Sequence, residues 1–154
     1  SFLEYWSKIL YNLRSITLSM AILEITDKAL SHQDPYPSLF STLVDVLQEF
    51  DKDKINPNIL FWFYECALLT HLGFRPSLQE YNLPGLHLPD PNSGPHSGLI
   101  LASLFSGDIK NLPSEKITKI DRKIINNYLW LSLCYHFENL RDIKSMKIAK
   151  KLLI

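Results

Sequence analysis

The sequence has few of the features that mark a catalytic protein. Its two cysteines, Cys66 and Cys134, lie inside apolar helical patterns, so reduced core thiols are favoured over a structural disulfide. Gly-x-Gly-x-x-Gly and Gly-x-x-x-x-Gly-Lys-Ser/Thr phosphate loops are absent, and so is a Gly-x-Ser-x-Gly nucleophile elbow. The enzyme hypothesis that remains joins Glu24, Glu65 and a histidine, but ordinary exposed or capping carboxylates explain these acids better. We therefore predict that the protein is not an enzyme.

Long apolar runs and strand patterns are also missing. No uninterrupted apolar stretch is long enough to span a bilayer, and no basic-then-apolar leader opens the chain. Alternation of apolar and polar residues with a period of two is not sustained over a useful length, which disfavours a sheet. The chain starts at Ser1 rather than at a methionine, so we expect a fragment or a processed product. No membrane partner is predicted.

The composition itself is that of a globular protein. The chain has 154 residues, of which 46% are hydrophobic and 21% charged, enough for one domain over residues 1–154 with a real core. Its net charge is zero but unevenly placed: residues 1–109 hold 6 basic and 12 acidic residues (−6), and residues 110–154 hold 10 and 4 (+6). Either the basic half meets a polyanion or an acidic partner, or the two halves neutralise each other in the fold.

The clearest local pattern is LFWFYECALLTHLGFRP at residues 60–76. The run is apolar nearly all round, so we predict a helix over Asn58–Leu72 at the centre of the domain. Pro57 suits the first helical position and Gly73 the left-handed position just after the helix, and Pro76 prevents the helix from continuing.

Helical spacing also appears on both sides of this segment. Apolar residues recur three and four apart over residues 2–30, 39–50, 98–105, 117–137 and 146–153. Ser38 is placed to cap the second of these helices, and Pro113-Ser114 predict that another helix starts at Glu115. Five of the nine prolines fall in residues 76–98, which predicts a long irregular segment there. The predicted fold class is all-α: five to seven helices around the central apolar helix, with one long Pro/Gly-rich loop over residues 81–98.

The best physical indication of function is a basic helix at the C-terminal end. At 100° per residue, the wheel puts Lys144, Lys147, Lys150 and Lys151 within about one third of the circumference, and we assign Met146, Ile148, Ala149 and Leu152 to the other side. Three interpretations stay open: a solvated face favoured by the helix dipole, a surface for nucleic-acid phosphate, or a surface for an acidic peptide.

The order of several short motifs resembles the C-terminal domain of RecO, the bacterial recombination mediator. The segments that carry the resemblance are ITLSMAILEI at 16–25, LFSTLVDVL at 39–47, the helix ending HLGFRP at 71–76, and HFENLRDIKS at 136–145. The last of these is similar to the family's HL-x-x-R-x-x-KS segment. The resemblance spans about residues 16–154 and implies that the N-terminal OB fold of the family is not in this chain.

The resemblance also bears on metal binding. Many family members carry a zinc ribbon of two Cys-x-x-Cys pairs just after the GF-x-P stop, but no cysteine lies at those spacings here. His71, His87 and His96 are too few and too scattered to replace four thiolates. We predict a zinc-free branch of the family, with no cofactor.

The function implied by the resemblance is DNA repair and recombination in the bacterial cytoplasm. RecO proteins act with RecR to load RecA onto single-stranded DNA coated by single-strand-binding protein. The implied partners are RecR, the acidic C-terminal tail of single-strand-binding protein, and single-stranded DNA, bound weakly without the OB fold. The predicted contact residues are Phe74 and Arg75 beside an apolar groove and an exposed positive face of Arg141, Lys144, Lys147 and Lys151. The alternative is a stand-alone helical adaptor that binds a protein and no nucleic acid.

Overall fold

The computed structural model describes residues 2–30, 36–79, 82–113 and 116–153. These residues form six α-helices: α1 (Phe2–Ala29), α2 (Pro37–Lys52), α3 (Pro57–His71), α4 (Ser97–Phe105), α5 (Lys119–His136) and α6 (Lys144–Leu153). Single turns of 3-10 helix lie at Ile109–Asn111 and Glu138–Leu140, and the two-residue strands β1 (Asn82–Leu83) and β2 (Leu86–His87) pair as an antiparallel hairpin. The prediction of an all-α bundle of five to seven helices is confirmed.

Helix α3 lies at the centre of the bundle, as its all-round apolar sequence predicts. Nearly every side chain from Pro57 to Leu69 is buried, and α1, α2, α4 and α5 all pack against this helix. Its aromatic side chains Phe61, Trp62 and Tyr64 are among the largest fully buried groups. A helix enclosed on all sides has no face left for polar residues, which explains the pattern.

Both ends of α3 are closed by local hydrogen bonds. At its start the Asn56 side chain accepts a hydrogen bond from the Asn58 N–H at 2.9 Å, with Pro57 in the first turn. At its end Gly73 has a φ of 88°, and the Phe74 N–H donates to the Leu69 carbonyl at 2.7 Å. A left-handed residue followed by this bond is the Schellman arrangement, which reverses the chain direction. The prediction for Gly73 is therefore confirmed.

The end of the Pro/Gly-rich loop is fixed to α5 by one carboxylate. Asp121 and Thr118 form a capping box at the start of α5, and the other Asp121 carboxylate oxygen accepts the His96 N–H at 2.9 Å. Ser97 donates to the Pro91 carbonyl at 2.6 Å and accepts the Gly94 N–H at 3.1 Å. A Cβ at Gly94 would lie 2.5 Å from the Asp121 carboxylate, so only glycine fits there. These bonds set the direction in which α4 begins.

The starts of α2 and α5 differ from those that the sequence predicts. Helix α2 begins at Pro37 after Tyr36, which makes no side-chain capping bond, so Ser38 lies inside the first turn instead of capping it. The predicted start of α5 at Glu115 lies outside the described residues, and the helix begins at Lys119 because the capping box places its N-terminus at Thr118.

Helix α1 runs unbroken from Phe2 to Ala29 and packs against helices from the first half of the chain and against the last helix. It packs on α3, on α2 and, most extensively, on α6. The Thr26 hydroxyl and the Tyr64 hydroxyl share a hydrogen bond of 2.6 Å in the core between α1 and α3. Because α6 lies on α1, its apolar side is covered and its other side faces outward.

Candidate functional site

Helix α6 presents a row of cations to solvent. Its buried residues are Met146, Ala149 and Leu153, and Ile143 just before the helix is buried as well. Lys144, Lys147, Lys150 and Lys151 are all exposed, and so is Arg141 in the preceding turn. The structure therefore leaves every predicted basic residue of this segment accessible.

Ile148 lies on the basic side of α6 and not on the apolar side. It is 58% exposed, although its sequence pattern assigned it to the covered face. The position follows from helix geometry, since residue 148 is four after Lys144 and three before Lys151, so these side chains share one face. We call Arg141, Lys144, Lys147, Ile148 and Lys151 the basic face. It offers cations together with one exposed apolar group.

Lys150 differs from the other lysines of α6. Its ammonium group lies 5.5 Å from the centre of the Trp130 ring on α5, a cation–π contact. This contact directs Lys150 toward α5. Sequence reasoning missed it because Trp130 and Lys150 are twenty positions apart and no helical spacing relates them.

The Phe74 corner packs on the end of α5. The Phe74 ring stacks on the His136 imidazole with centroids 4.1 Å apart and planes at 15°, and it meets Phe137 edge-on at 5.5 Å. Phe74 nevertheless remains 39% exposed. Burial of the imidazole lowers the pKa of His136, so the stack favours the neutral ring.

Arg75 continues from this corner toward α4. Its guanidinium lies 5.7 Å from the centre of the Phe105 ring, and the side chain is exposed. Arg75 is thus held over an aromatic face with its hydrogen-bonding edges accessible, an arrangement suited to binding a carboxylate or a phosphate.

The structure brings the corner close to the start of the basic face along the chain. Phe137, which touches Phe74, accepts a hydrogen bond at its carbonyl from the Leu140 N–H at 3.0 Å, one residue before Arg141.

Two clefts in the described part of the chain lie away from the Phe74 corner. One, of about 630 Å³, is lined by residues such as Glu24, Asp27 and Asp142, and the other, of about 590 Å³, lies between α1 and α2. The apolar groove beside Phe74 therefore stays a prediction.

Burial raises the pKa of one acid and of both cysteines in the described part of the chain. Glu65 is 2% exposed, and burial raises the pKa of its carboxyl well above the ordinary value, an effect that the nearby charge of Lys150 partly offsets. This burial corrects the interpretation of Glu65 as an exposed or capping acid. Burial also raises the pKa of Cys134 to about 11 and that of Cys66 well above its usual value. Both thiols stay protonated at neutral pH, so neither supplies a thiolate nucleophile.

Two further site types are not found in the described part of the chain. Over residues 2–30, 36–79, 82–113 and 116–153, no three His, Cys, Asp or Glu side chains are grouped so that they could hold a metal ion. Within the same ranges no helix combines the length and the apolar content needed to cross a membrane.

Comparison with known proteins gives a family match over two thirds of the chain. The model of the family described as "Recombination protein O C terminal" matches residues 10–113. The DNA repair protein RecO of Exiguobacterium sibiricum is 33% identical over 96 residues, which cover 62% of this chain and 38% of that protein. The chain thus spans less than two fifths of the length of this curated relative. No solved structure matches this chain.

The matched range divides the predicted contact residues into two groups. Phe74 and Arg75 lie within residues 10–113, whereas the basic face begins at Arg141 and lies beyond them. The predictions for the central helix and for the corner that follows it are therefore supported both by the family match and by the structure. The basic face rests on the structure and on the sequence of this chain.

Proposed function

Because this chain belongs to the family of C-terminal domains of recombination protein O, we propose that it is the helical domain of a DNA repair and recombination mediator. In this proposal the domain supports RecA loading on single-stranded DNA in the bacterial cytoplasm and is not an enzyme. Its partners are RecR, the acidic C-terminal tail of single-strand-binding protein and, more weakly, single-stranded DNA.

The observation that carries the proposal is the composition of the basic face. Four cations and one apolar side chain, Ile148, are exposed together on and just before α6. An acidic peptide that ends in an apolar residue needs this combination, because its carboxylates require cations and its last side chain requires apolar contact. A surface of lysines alone would bind the charges without the apolar group.

Each group in the basic face has a distinct role in this proposal. Arg141 binds the terminal carboxylate, because a guanidinium offers two parallel N–H donors to a carboxylate. Lys144, Lys147 and Lys151 act as point charges that attract the acidic tail and set its association rate. The same cations neutralise phosphates when single-stranded DNA is bound, and that binding weakens as salt displaces it.

The test is a titration of the domain with the tail peptide of the single-strand-binding protein from the same organism, at low salt. Arg141→Ala should weaken binding by about 1.5–3 kcal/mol, since a charge-assisted bond to the carboxylate is lost. Lys144→Ala should cost a few tenths to about 1 kcal/mol, as expected for an exposed charge. Removal of the last apolar residue of the peptide should also weaken binding.

The matched control is Lys54→Ala with Lys110→Ala. Both lysines are exposed and lie outside the basic face, and the double variant changes net charge by the same amount as Arg141→Ala with Lys144→Ala. The proposal expects the control to bind as the wild type does. Equal binding by both double variants, or no binding by the wild type, would reject this site for the tail.

A second titration, with single-stranded DNA, separates the mediator from the adaptor. The mediator proposal expects an affinity that falls steeply as salt rises and that decreases in the Arg141→Ala, Lys144→Ala variant. Peptide binding without any DNA binding would favour the adaptor.

A further inference from the structure

An apolar surface lies between α1 and α2, on the outside of the bundle. Twelve large hydrophobic side chains are exposed in the described part of the chain, and six of them belong to these two helices: Leu13, Ile16, Met20, Leu23, Phe40 and Val44. Met20 is 61% exposed and Ile16 55%. A monomeric domain seldom leaves so many large apolar groups together at its surface without a binding role.

These side chains form continuous stripes along their helices. Ile16, Met20 and Leu23 are spaced four and three apart, so they share one face of α1. Phe40, Val44 and Leu47 follow the same spacing on α2, and Leu47 is half-buried. The two stripes border a cleft of about 590 Å³, whose lining includes Ile16, Met20, Leu23, Leu47 and Phe50. We call this cleft the α1/α2 groove.

The exposed side chains of these stripes do not cover the core. Helix α2 already covers a different face with Leu39, Leu43, Val46 and Phe50, and α1 covers Leu18, Ile22 and Ile25. A surface helix needs only one apolar face to pack on a core. In the described part of the chain, the second apolar face of each helix therefore remains exposed.

One carboxylate lies at one end of the groove, and a second lies just beyond the other end. Asp51 lines one end together with Asn12. Asp27 is exposed and lies four residues after Leu23, so it continues the exposed stripe of α1 beyond the other end of the groove, where it also lines the neighbouring cleft of about 630 Å³. From Asn12 to Asp27 a helix rises about 22 Å, which is the length of about four helical turns.

Two described cations near the groove have other partners. Arg14 donates to the Asn58 side chain on α3 at 3.3 Å, and Lys52 pairs with Glu49 at 3.2 Å. Lys28 lines the other cleft. Among the described residues that line the α1/α2 groove, Asp51 is acidic and none is basic, so the charge that this lining presents is negative.

We infer that the α1/α2 groove binds an amphipathic helix of a partner protein, about four turns long, with an apolar stripe and a basic residue near each end. The apolar stripe covers Ile16, Met20 and Leu23, and the basic residues meet Asp51 and Asp27. A second copy of this face fits poorly, because a symmetric pair would place like carboxylates close together. This surface is separate from the basic face, so it can fail or hold independently of the function proposed above.

The experiment uses two synthetic peptide probes of 14 residues with the same leucine stripe on an alanine helix. One probe carries lysines near both ends and the other carries glutamates at those positions. Binding to the whole chain is followed by fluorescence anisotropy at low salt. The lysine probe should bind at least about tenfold more tightly than the glutamate probe, because its end charges complement Asp27 and Asp51.

Two variants and a control locate the binding. Met20→Gln with Leu23→Gln should weaken the lysine probe about tenfold or more, since two apolar contacts are lost at exposed positions that do not support the core. Asp51→Asn should weaken it about two- to fivefold at low salt and much less at high salt. Ile120→Gln is the control, because Ile120 is 60% exposed on α5 and lies outside the groove.

The outcomes decide the inference. Equal binding of the two probes, or no binding of the lysine probe, would overturn it. It would also be overturned if the control Ile120→Gln weakened the lysine probe as much as the double variant Met20→Gln with Leu23→Gln does. Sedimentation of the chain alone supplies the remaining arm. A concentration-dependent dimer that Met20→Gln with Leu23→Gln abolishes would assign the groove to a second copy and overturn the inference as well.

Discussion

Asn126 on α5 connects Trp62 of the central helix to the last turn of α6. Its side-chain oxygen accepts a hydrogen bond from the Trp62 indole N–H, and its amide donates to the main-chain carbonyl of Leu153 at 3.0 Å. One side chain thereby satisfies a buried donor of the core and a carbonyl at the end of a helix, where no intrahelical partner exists. The bond to Leu153 ties the last turn of α6 to α5, in addition to the packing of α6 on α1.

Replacement of Asn126 by leucine should destabilise the domain. Asn126→Leu keeps a similar volume but leaves the Trp62 N–H without a partner in the core, which costs about 1–3 kcal/mol. The free energy of unfolding is measured with urea and followed by circular dichroism. Asn127→Leu is the control, because Asn127 is exposed one position along and should change stability by no more than about 0.5 kcal/mol. Equal destabilisation by the two variants would show that the Trp62 bond is not the cause.

Glu65 should make the domain less stable as the pH rises. Its pKa is raised in the folded state by burial, so the native carboxyl stays protonated above the unfolded pKa of about 4.5. Unfolding then releases a proton, and stability falls by about 1.4 kcal/mol per pH unit above 4.5 for as long as the native group remains neutral. Below that pH the contribution does not change. In Glu65→Gln this decrease should disappear.

The measurement compares unfolding free energies between pH 4 and pH 8. The difference between Glu65→Gln and the wild type should shift in favour of the variant as the pH rises. Glu138→Gln is the control at an exposed position. A pH-independent difference between Glu65→Gln and the wild type would mean that Glu65 is ionised in the fold.

The residues in these predictions show what the sequence reveals and what it does not. Helix α3 was predictable because an uninterrupted apolar run needs a covered position on every side. The burial of Glu65 was not predictable, because the sequence around a single acid does not show which distant residues enclose it. Ile148 was misassigned because its pattern fits either edge of the α6 stripe. Only the packing of α6 on α1 decides the edge, and that packing depends on residues more than a hundred positions away.

The candidate site divides in the same way. The basic residues of α6 and the stop at Gly73 are local patterns, and both appear in the structure as the sequence predicts. The contact between Phe74 and His136 joins segments 62 positions apart, which no local spacing encodes. The same holds for the α1/α2 groove, whose two stripes are visible only after the core faces of both helices are known.

Replacement of Asp121 should lower the free energy of unfolding, and the loss should be larger at neutral pH than in acid. Its carboxylate accepts hydrogen bonds from the N–H groups of His96 and Thr118 and from the Thr118 hydroxyl. Burial alone would raise the pKa of this carboxyl, but these bonds outweigh burial and lower it. Asp121→Ala should cost about 2 kcal/mol, the upper range for a lost cap, because the Pro/Gly-rich loop loses its anchor too.

The pH dependence of Asp121 has the opposite sign to that of Glu65. A lowered native pKa gives stability that is present above the unfolded value of about 3.8 and is lost as the pH falls through the native pKa. Thermal unfolding at pH 7 and at pH 3 is the measurement, with Asp45→Ala as an exposed control of equal charge change. The deficit of Asp121→Ala should shrink at pH 3. A deficit of the same size at both pH values would place its origin outside the ionised carboxylate.

The Phe74–His136 stack should weaken under mild acid. Burial lowers the native pKa of His136 below the ordinary value of about 6.5, so protonation favours the unfolded chain. The contribution is fully present above pH 6.5 and is lost as the pH falls through the native value. His136→Phe keeps a ring against Phe74 and removes the proton, so the stability of this variant relative to wild type should rise as the pH falls from 7 to 5.

The control is His71→Phe, at an exposed position at the end of α3. Because other acids titrate equally in all three proteins, only the differences between their unfolding free energies report on His136. A difference between His136→Phe and the wild type that stays constant from pH 7 to pH 5 would show that the imidazole stacks on Phe74 without any cost of protonation.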